Sequence, residues 1–153
     1  MTCSLLSSPV IAAAVAGGCG LLAVMLGLWR YRSEQWWERK ATTYAKTIEA
    51  LHTIEDVHNE WIEAIEKSVQ LPMERLEKLR IADRDAHAEI RKFANQGGFI
   101  ITTNAARALA EFSGLLGKPQ MNRDEYEFYN DRAVAAATTL SIVKREAKAD
   151  LKT

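Results

Sequence analysis

Two Glu-x-x-His pairs stand close together in the sequence, Glu49 with His52 and Glu55 with His58. In ferritin-like bundles this spacing supplies ligands to a di-metal centre, but there the two pairs lie on different helices. Here both pairs fall within one predicted helix, where two histidines six residues apart point about 240° away from each other. His87, on the next predicted helix, could join only one of them. We therefore predict solvated histidines or histidines at the edge of the core, with no metal and no cofactor.

No other pattern of residue types points to catalysis. The sequence contains no Gly-rich phosphate-binding loop and no Gly-x-Ser-x-Gly nucleophile motif. Its two cysteines, Cys3 and Cys19, both precede the predicted soluble domain, which has none. The 20 Lys and Arg residues are balanced by 20 Asp and Glu residues, so the basic excess typical of nucleic-acid binders is missing. The sequence predicts a protein that is not an enzyme, has no catalytic residues and binds no nucleic acid.

A long apolar run opens the chain. Residues 1–29 include no charged side chain, and the run from residue 10 to residue 29 is long enough, at about 1.5 Å per residue, to cross a bilayer core of roughly 30 Å. A cleaved signal peptide is disfavoured because no basic residue precedes the run. We therefore predict a short N-terminal tail (residues 1–8), a transmembrane helix (residues 9–29) and a soluble helical bundle (residues 30–153).

Aromatic and basic residues gather at the C-terminal end of this run, namely Trp29, Arg30, Tyr31, Arg32 and Trp36. Indole and phenol rings favour the headgroup level of a bilayer, and basic residues favour the cytoplasmic side. These residues are predicted to anchor the helix at the membrane interface, with the lipid bilayer as a partner. The expected location is the cell inner membrane, with a single pass, the N-terminus outside and the C-terminal domain in the cytoplasm.

Small residues recur four apart within the same run, at Ala12, Ala16 and Gly20. Such a stripe allows two helix backbones to approach closely in lipid. We predict that this face forms a helix–helix contact in the membrane and a homo-oligomer through the membrane helix.

Beyond residue 32, apolar residues spaced by three and four predict four amphipathic helices. The predicted ranges are residues 33–69, residues 72–95, a helix capped at 102, 103 or 104 and stopped at 117–119, and a helix from a cap at Asn122 to the C-terminus. Residues 99–101 are predicted to be extended. Asp83 falls on the apolar stripe of the second helix and is interpreted as a solvated or paired carboxylate. The predicted fold class is all-α, with one N-terminal transmembrane helix followed by a four-helix cytoplasmic bundle, whose long first helix would continue the span.

Both ends of the predicted bundle resemble a group of uncharacterised bacterial membrane-anchored helical proteins. The matching segments are Trp37-Glu38-Arg39-Lys40, Tyr44, Glu49-Ala50-Leu51-His52 and a closing Lys-Arg-Glu-Ala-Lys-Ala-Asp-Leu stretch at residues 144–151. The resemblance implies a bacterial inner-membrane protein. It carries no known activity, so no functional residue follows from it.

These observations favour a non-enzymatic, membrane-anchored interaction module or accessory subunit at the cytoplasmic face of a bacterial inner membrane. It would dock onto an unidentified protein partner or onto copies of itself. Tethering to the membrane would raise the effective concentration of the module, so weak contacts would suffice. The alternative is a small membrane effector or regulator that oligomerises and perturbs the membrane on activation, an idea motivated by the glycine-rich run. A metal-dependent helical-bundle enzyme is the third hypothesis.

Overall fold

The chain forms four α-helices in a computed structural model that describes the backbone of residues 9–118 and 124–152, with the side chains of residues 25, 27–95, 98–118 and 124–152. The helices are α1 (Pro9–Glu66), α2 (Met73–Gln96), α3 (Thr103–Leu116) and α4 (Glu125–Asp150), with a 3₁₀ turn at Gly97–Phe99. The described residues contain no strand. The all-α bundle is therefore confirmed. The chain divides into two compact units, Met1–Glu38 and Arg39–Thr153, and the bundle is the second unit.

The predicted membrane-spanning helix is not confirmed. Among the residues that the structure describes, no helix is both long enough and apolar enough to cross a bilayer. A span needs about 20 consecutive apolar residues, whereas the described side chains of α1 soon include Arg30, Arg32 and Glu34. The fold class is corrected accordingly to an all-α chain without a transmembrane helix in its described part. The inner-membrane location and the cytoplasmic orientation stay predictions.

The core of the bundle is built from the apolar stripes of all four helices. Helical residues three and four apart share a face, so each stripe is buried as a unit. Tyr44, Leu51 and Ile54 of α1 are at most 1% exposed, as is Leu109 of α3. The remaining buried members of this cluster are Ala50, Ala86, Ile90, Phe93, Ile101, Ala105, Phe112, Ala136, Leu140, Val143 and Ala147.

The end of α1 differs from the prediction. The helix stops at Glu66 and not at residue 69, well before Pro72. Ser68 has a left-handed φ of 51°, its N–H donates to the Ile65 carbonyl, and the Val69 N–H donates to the Ala64 carbonyl, each over 3.0 Å. This is the Schellman arrangement of hydrogen bonds, which closes a helix one turn before a proline could.

The ends of α3 follow the prediction more closely. Thr102 is the N-cap, and its hydroxyl accepts a hydrogen bond from the Ala105 N–H. Residues 97–99, however, form a 3₁₀ turn, so the extended segment predicted over residues 99–101 is wrong. The N-cap of α4 is Asp124, and the predicted cap Asn122 lies outside the described residues.

At one end of the bundle, α4 packs against α1. Lys40 pairs with Asp150 over 2.7 Å, and the Tyr44 hydroxyl donates to the other Asp150 carboxylate oxygen over 3.0 Å. The small side chains Ala133, Ala136 and Ala147 of α4 are buried, as expected for a helix that lies close to its neighbours.

Candidate functional site

Three side chains that carry ligand or acid–base groups meet where α1 faces α2: His58 of α1 and Asp83 and His87 of α2. We call them the histidine cluster. The Oδ1 oxygen of Asp83 lies 3.4 Å from Nε2 of His58 and 3.2 Å from Nε2 of His87. Asp83 and His87 are four residues apart, so they stand on the same face of α2. One ligand atom from each of the three lies within 4.8 Å of the other two.

The histidine cluster is shielded from water. The His58 side chain is 0% exposed, and those of Asp83 and His87 are each 16% exposed. Although the distances are short, Oδ1 of Asp83, Nε2 of His87 and both ring nitrogens of His58 form no hydrogen bond with any described residue. Buried polar atoms are normally paired, and each exception calls for an explanation.

Burial also governs protonation in the histidine cluster. It lowers the pKa of His58 to about 3 and that of His87 to about 4, and the positive charge of Arg132 acts in the same direction. Burial raises the pKa of Asp83 to about 6, while Arg132 opposes that rise. Both imidazoles are therefore neutral at pH 7, so the short contacts to Asp83 are not ion pairs between opposite charges.

Aromatic rings enclose the histidine cluster on one side. The ring centroid of His58 lies 5.6 Å from that of Trp61 and 5.8 Å from that of Tyr129, and these two rings lie 4.6 Å apart. Trp61 and Tyr129 also line a cleft of about 370 Å³ between the end of α1 and the starts of α2 and α4. The histidine cluster thus lies one aromatic layer behind an open cleft.

Arg132 of α4 is held beside this region by three contacts. Its Nη2 donates to the carbonyls of Leu116 and Lys118 over 3.0 and 3.1 Å, and its guanidinium carbon stands 4.0 Å from the Phe128 ring centroid. Burial lowers the pKa of Arg132. Arg132 supplies the positive charge that favours ionised Asp83.

The histidines of the two Glu-x-x-His pairs lie on different sides of α1, as their spacing predicts. The interpretation of His58 as a solvated or core-edge histidine is wrong, because its side chain is buried. His52 lies on the surface, with Nδ1 3.7 Å from a Glu55 carboxylate oxygen and Nε2 2.9 Å from the Lys144 ammonium nitrogen. His58 is in the interior and meets Asp83, not a glutamate of either pair.

A signal for the histidine cluster was present in the sequence. The predicted stripe of α1 jumps seven residues from Ile54 to Trp61, and position 58 falls in that gap at a spacing of four and then three. Asp83 likewise occupies a stripe position of α2. Polar residues at core positions of two consecutive helices indicate a buried polar contact between them.

The residues predicted to anchor the chain at a membrane interface are exposed. Trp29, Tyr31 and Trp36 of α1 are 74%, 59% and 47% exposed, and Arg30 pairs with Glu34 one turn away over 3.0 Å. Arg32 is exposed as well. The predicted helix–helix contact residues Ala12, Ala16 and Gly20 lie outside the residues whose side chains are described.

Comparison of the chain with protein-family models, with curated proteins and with solved structures finds no match.

Proposed function

We propose that this chain is a non-enzymatic interaction module that assembles with further copies of itself through the first part of α1. One observation carries the proposal: an exposed stripe of large side chains on residues 25–36. Met25 is 67% exposed and Trp29 74%, and Trp36 continues the same face. Solvent-facing helices of soluble domains are normally polar, and contiguous exposed apolar surface marks a site that something covers.

The spacing of this stripe suits a second helix. Met25, Trp29, Arg32 and Trp36 follow one another at intervals of four, three and four residues, the repeat that places knobs along a coiled-coil seam. The opposite face carries Glu34 and Glu38, which remain in water when the seam is closed.

A second copy of this chain fits the stripe chemically. Arg32 is its one charged member and stands between two tryptophans. A guanidinium stacks favourably on an indole face, worth about 0.5–2 kcal/mol, so Arg32 of one copy and a tryptophan of the other attract. Homo-oligomers with an isologous interface are the commonest soluble assemblies, because the same patch serves both subunits.

The test is the oligomeric state of the full chain by light scattering coupled to size-exclusion chromatography. Trp29→Glu places a charge in the seam and is expected to yield monomers at concentrations where the wild type assembles. The matched control is Tyr31→Glu. Tyr31 is also an exposed aromatic residue, but it stands two positions on, about 200° around the helix. It is expected to leave assembly unchanged.

Three results would overturn the proposal. One is a monomeric wild type, and another is equal assembly of the wild type and Trp29→Glu. The third is a full chain that stays dispersed only with detergent or lipid vesicles, because a bilayer and not a second copy would then cover the stripe.

A further inference from the structure

We propose that His58, Asp83 and His87 bind one divalent first-row transition metal ion between α1 and α2. Two imidazole nitrogens and one carboxylate oxygen form the donor set of many catalytic zinc sites and of non-haem iron sites. The donor atoms lie within 4.8 Å of one another. This site uses other residues than the assembly stripe, so neither proposal depends on the other.

The spacing of the donor atoms fits a metal without rearrangement of the backbone. In a tetrahedral site with metal–ligand bonds of about 2.0–2.2 Å, neighbouring ligand atoms stand roughly 3.3–3.5 Å apart. The separations from Oδ1 of Asp83 to Nε2 of His58 and to Nε2 of His87 are 3.4 and 3.2 Å. Two of the three donor separations are thus close to those that coordination requires, and the separation between the two imidazole donors is within 4.8 Å.

A purely structural polar contact is the competing explanation. Each neutral imidazole carries one N–H, and both could donate to the Asp83 carboxylate. The atoms are close enough for this, yet they are not aligned as hydrogen bonds with any described residue. A buried polar atom left unpaired costs about 1–3 kcal/mol. A metal ion at the centre would satisfy the two Nε2 atoms and Oδ1 together.

The residues around the histidine cluster determine how strongly the site binds a cation and how exposed the bound ion is to solvent. The positive charge of Arg132 acts on both imidazoles, so it repels an incoming cation and weakens its binding. Three protein ligands leave a coordination position open to water or another small ligand. Trp61 and Tyr129 border both the histidine cluster and the cleft of about 370 Å³, so one aromatic layer separates the proposed site from the open cleft.

The experiment titrates the full chain, expressed without a polyhistidine tag and stripped with chelator, against Zn²⁺ by calorimetry and against Co²⁺ by visible absorption. The wild type is expected to bind one ion per chain, and Co²⁺ should give the d–d bands of a four- or five-coordinate site. His87→Asn and Asp83→Asn each remove one ligand while keeping side-chain size, and each is expected to weaken affinity about 100-fold or more.

His52→Asn is the matched control, since His52 is an exposed histidine of the same helix with a carboxylate nearby. It is expected to bind Zn²⁺ like the wild type. Thermal melting without metal identifies any variant that fails to fold, and saturating Zn²⁺ should raise the melting temperature of the wild type and of His52→Asn only.

The site is overturned if the wild type shows no saturable one-to-one binding. It is equally overturned if folded His87→Asn and Asp83→Asn both bind as tightly as the wild type. If His52→Asn loses as much Zn²⁺ affinity as the ligand variants, the ion binds at the surface near His52, and the histidine cluster is rejected as the site.

Discussion

At the scale of single residues, Tyr44 shows how one side chain joins three elements. It is 1% exposed, and its hydroxyl accepts a hydrogen bond from the Thr102 N–H over 3.1 Å while donating to Asp150 over 3.0 Å. Burial, and to a lesser degree Asp150, raises the pKa of Tyr44, although the Thr102 hydrogen bond acts the other way. The neutral phenol is thus the form that the folded state holds.

Tyr44→Phe is expected to lower the free energy of unfolding at neutral pH by about 1–3 kcal/mol, because the partly buried Thr102 N–H loses its acceptor. A pKa raised in the folded state gives stability that is present below the unfolded pKa of about 10 and is lost as the pH rises through the folded value. Wild-type stability should therefore fall on going from neutral pH to about pH 11, and Tyr44→Phe should lack this part of the loss.

Urea unfolding at the two pH values measures both effects. Tyr31→Phe, at an exposed tyrosine of the same helix, is the control and should follow the wild type. Identical pH dependence in the wild type and in Tyr44→Phe would show that Tyr44 does not couple folding to its proton.

At the scale of elements, the turn between α1 and α2 combines a sound hydrogen-bond pattern with an unfavourable residue. The left-handed position of a Schellman cap usually holds glycine, since a Cβ there crowds the following carbonyl. This chain places Ser68 there, with φ 51°. The Schellman hydrogen bonds therefore end α1, but the left-handed conformation of Ser68 raises the backbone energy of the folded state.

Ser68→Gly is therefore expected to stabilise the protein by about 0.5–1 kcal/mol, because relief of the left-handed strain outweighs the added freedom of the unfolded chain. The same substitution in the last turn of α3, Ser113→Gly, should destabilise the protein by about 0.5 kcal/mol through lower helix propensity. Urea midpoints of the two variants are compared with the wild type. Shifts of the same sign would contradict the role assigned to Ser68.

At the scale of the whole molecule, stability depends on the shared core of the four helices. Leu140 lies centrally on α4 and is 6% exposed. Val134, on the same helix, is 57% exposed. The two positions therefore separate the effect of burial from the effect of helix propensity.

Leu140→Asp is expected to unfold the bundle, because an unpaired carboxylate in the core costs several kcal/mol out of a total of about 5–15 kcal/mol. Val134→Asp introduces the same residue on the solvent side of α4 and should change the free energy of unfolding by no more than about 0.5 kcal/mol. Circular dichroism during thermal melting distinguishes them. Equal melting of Leu140→Asp and the wild type would mean that the stripe of α4 is not part of the core.

Much of the bundle could be predicted from the sequence because its signals are local. The three-four spacing of Leu51 and Ile54, and of Leu140 and Val143, requires only the geometry of a single helix. The N-cap Thr102 is equally local, since its hydroxyl bonds to an N–H three residues on. The predicted membrane span is the exception, because among the described residues no helix is both long enough and apolar enough to cross a bilayer.

The three residues of the histidine cluster are brought together only by the tertiary structure. His58 and Asp83 lie 25 residues apart in sequence, and only the folding of α2 back onto α1 brings Oδ1 to within 3.4 Å of Nε2. The sequence by itself determined which faces of the helices are apolar, since helical periodicity is a property of each segment. Which polar side chains meet inside depends on how those faces are paired and rotated, and burial then changes their pKa values because the low-dielectric interior disfavours charge.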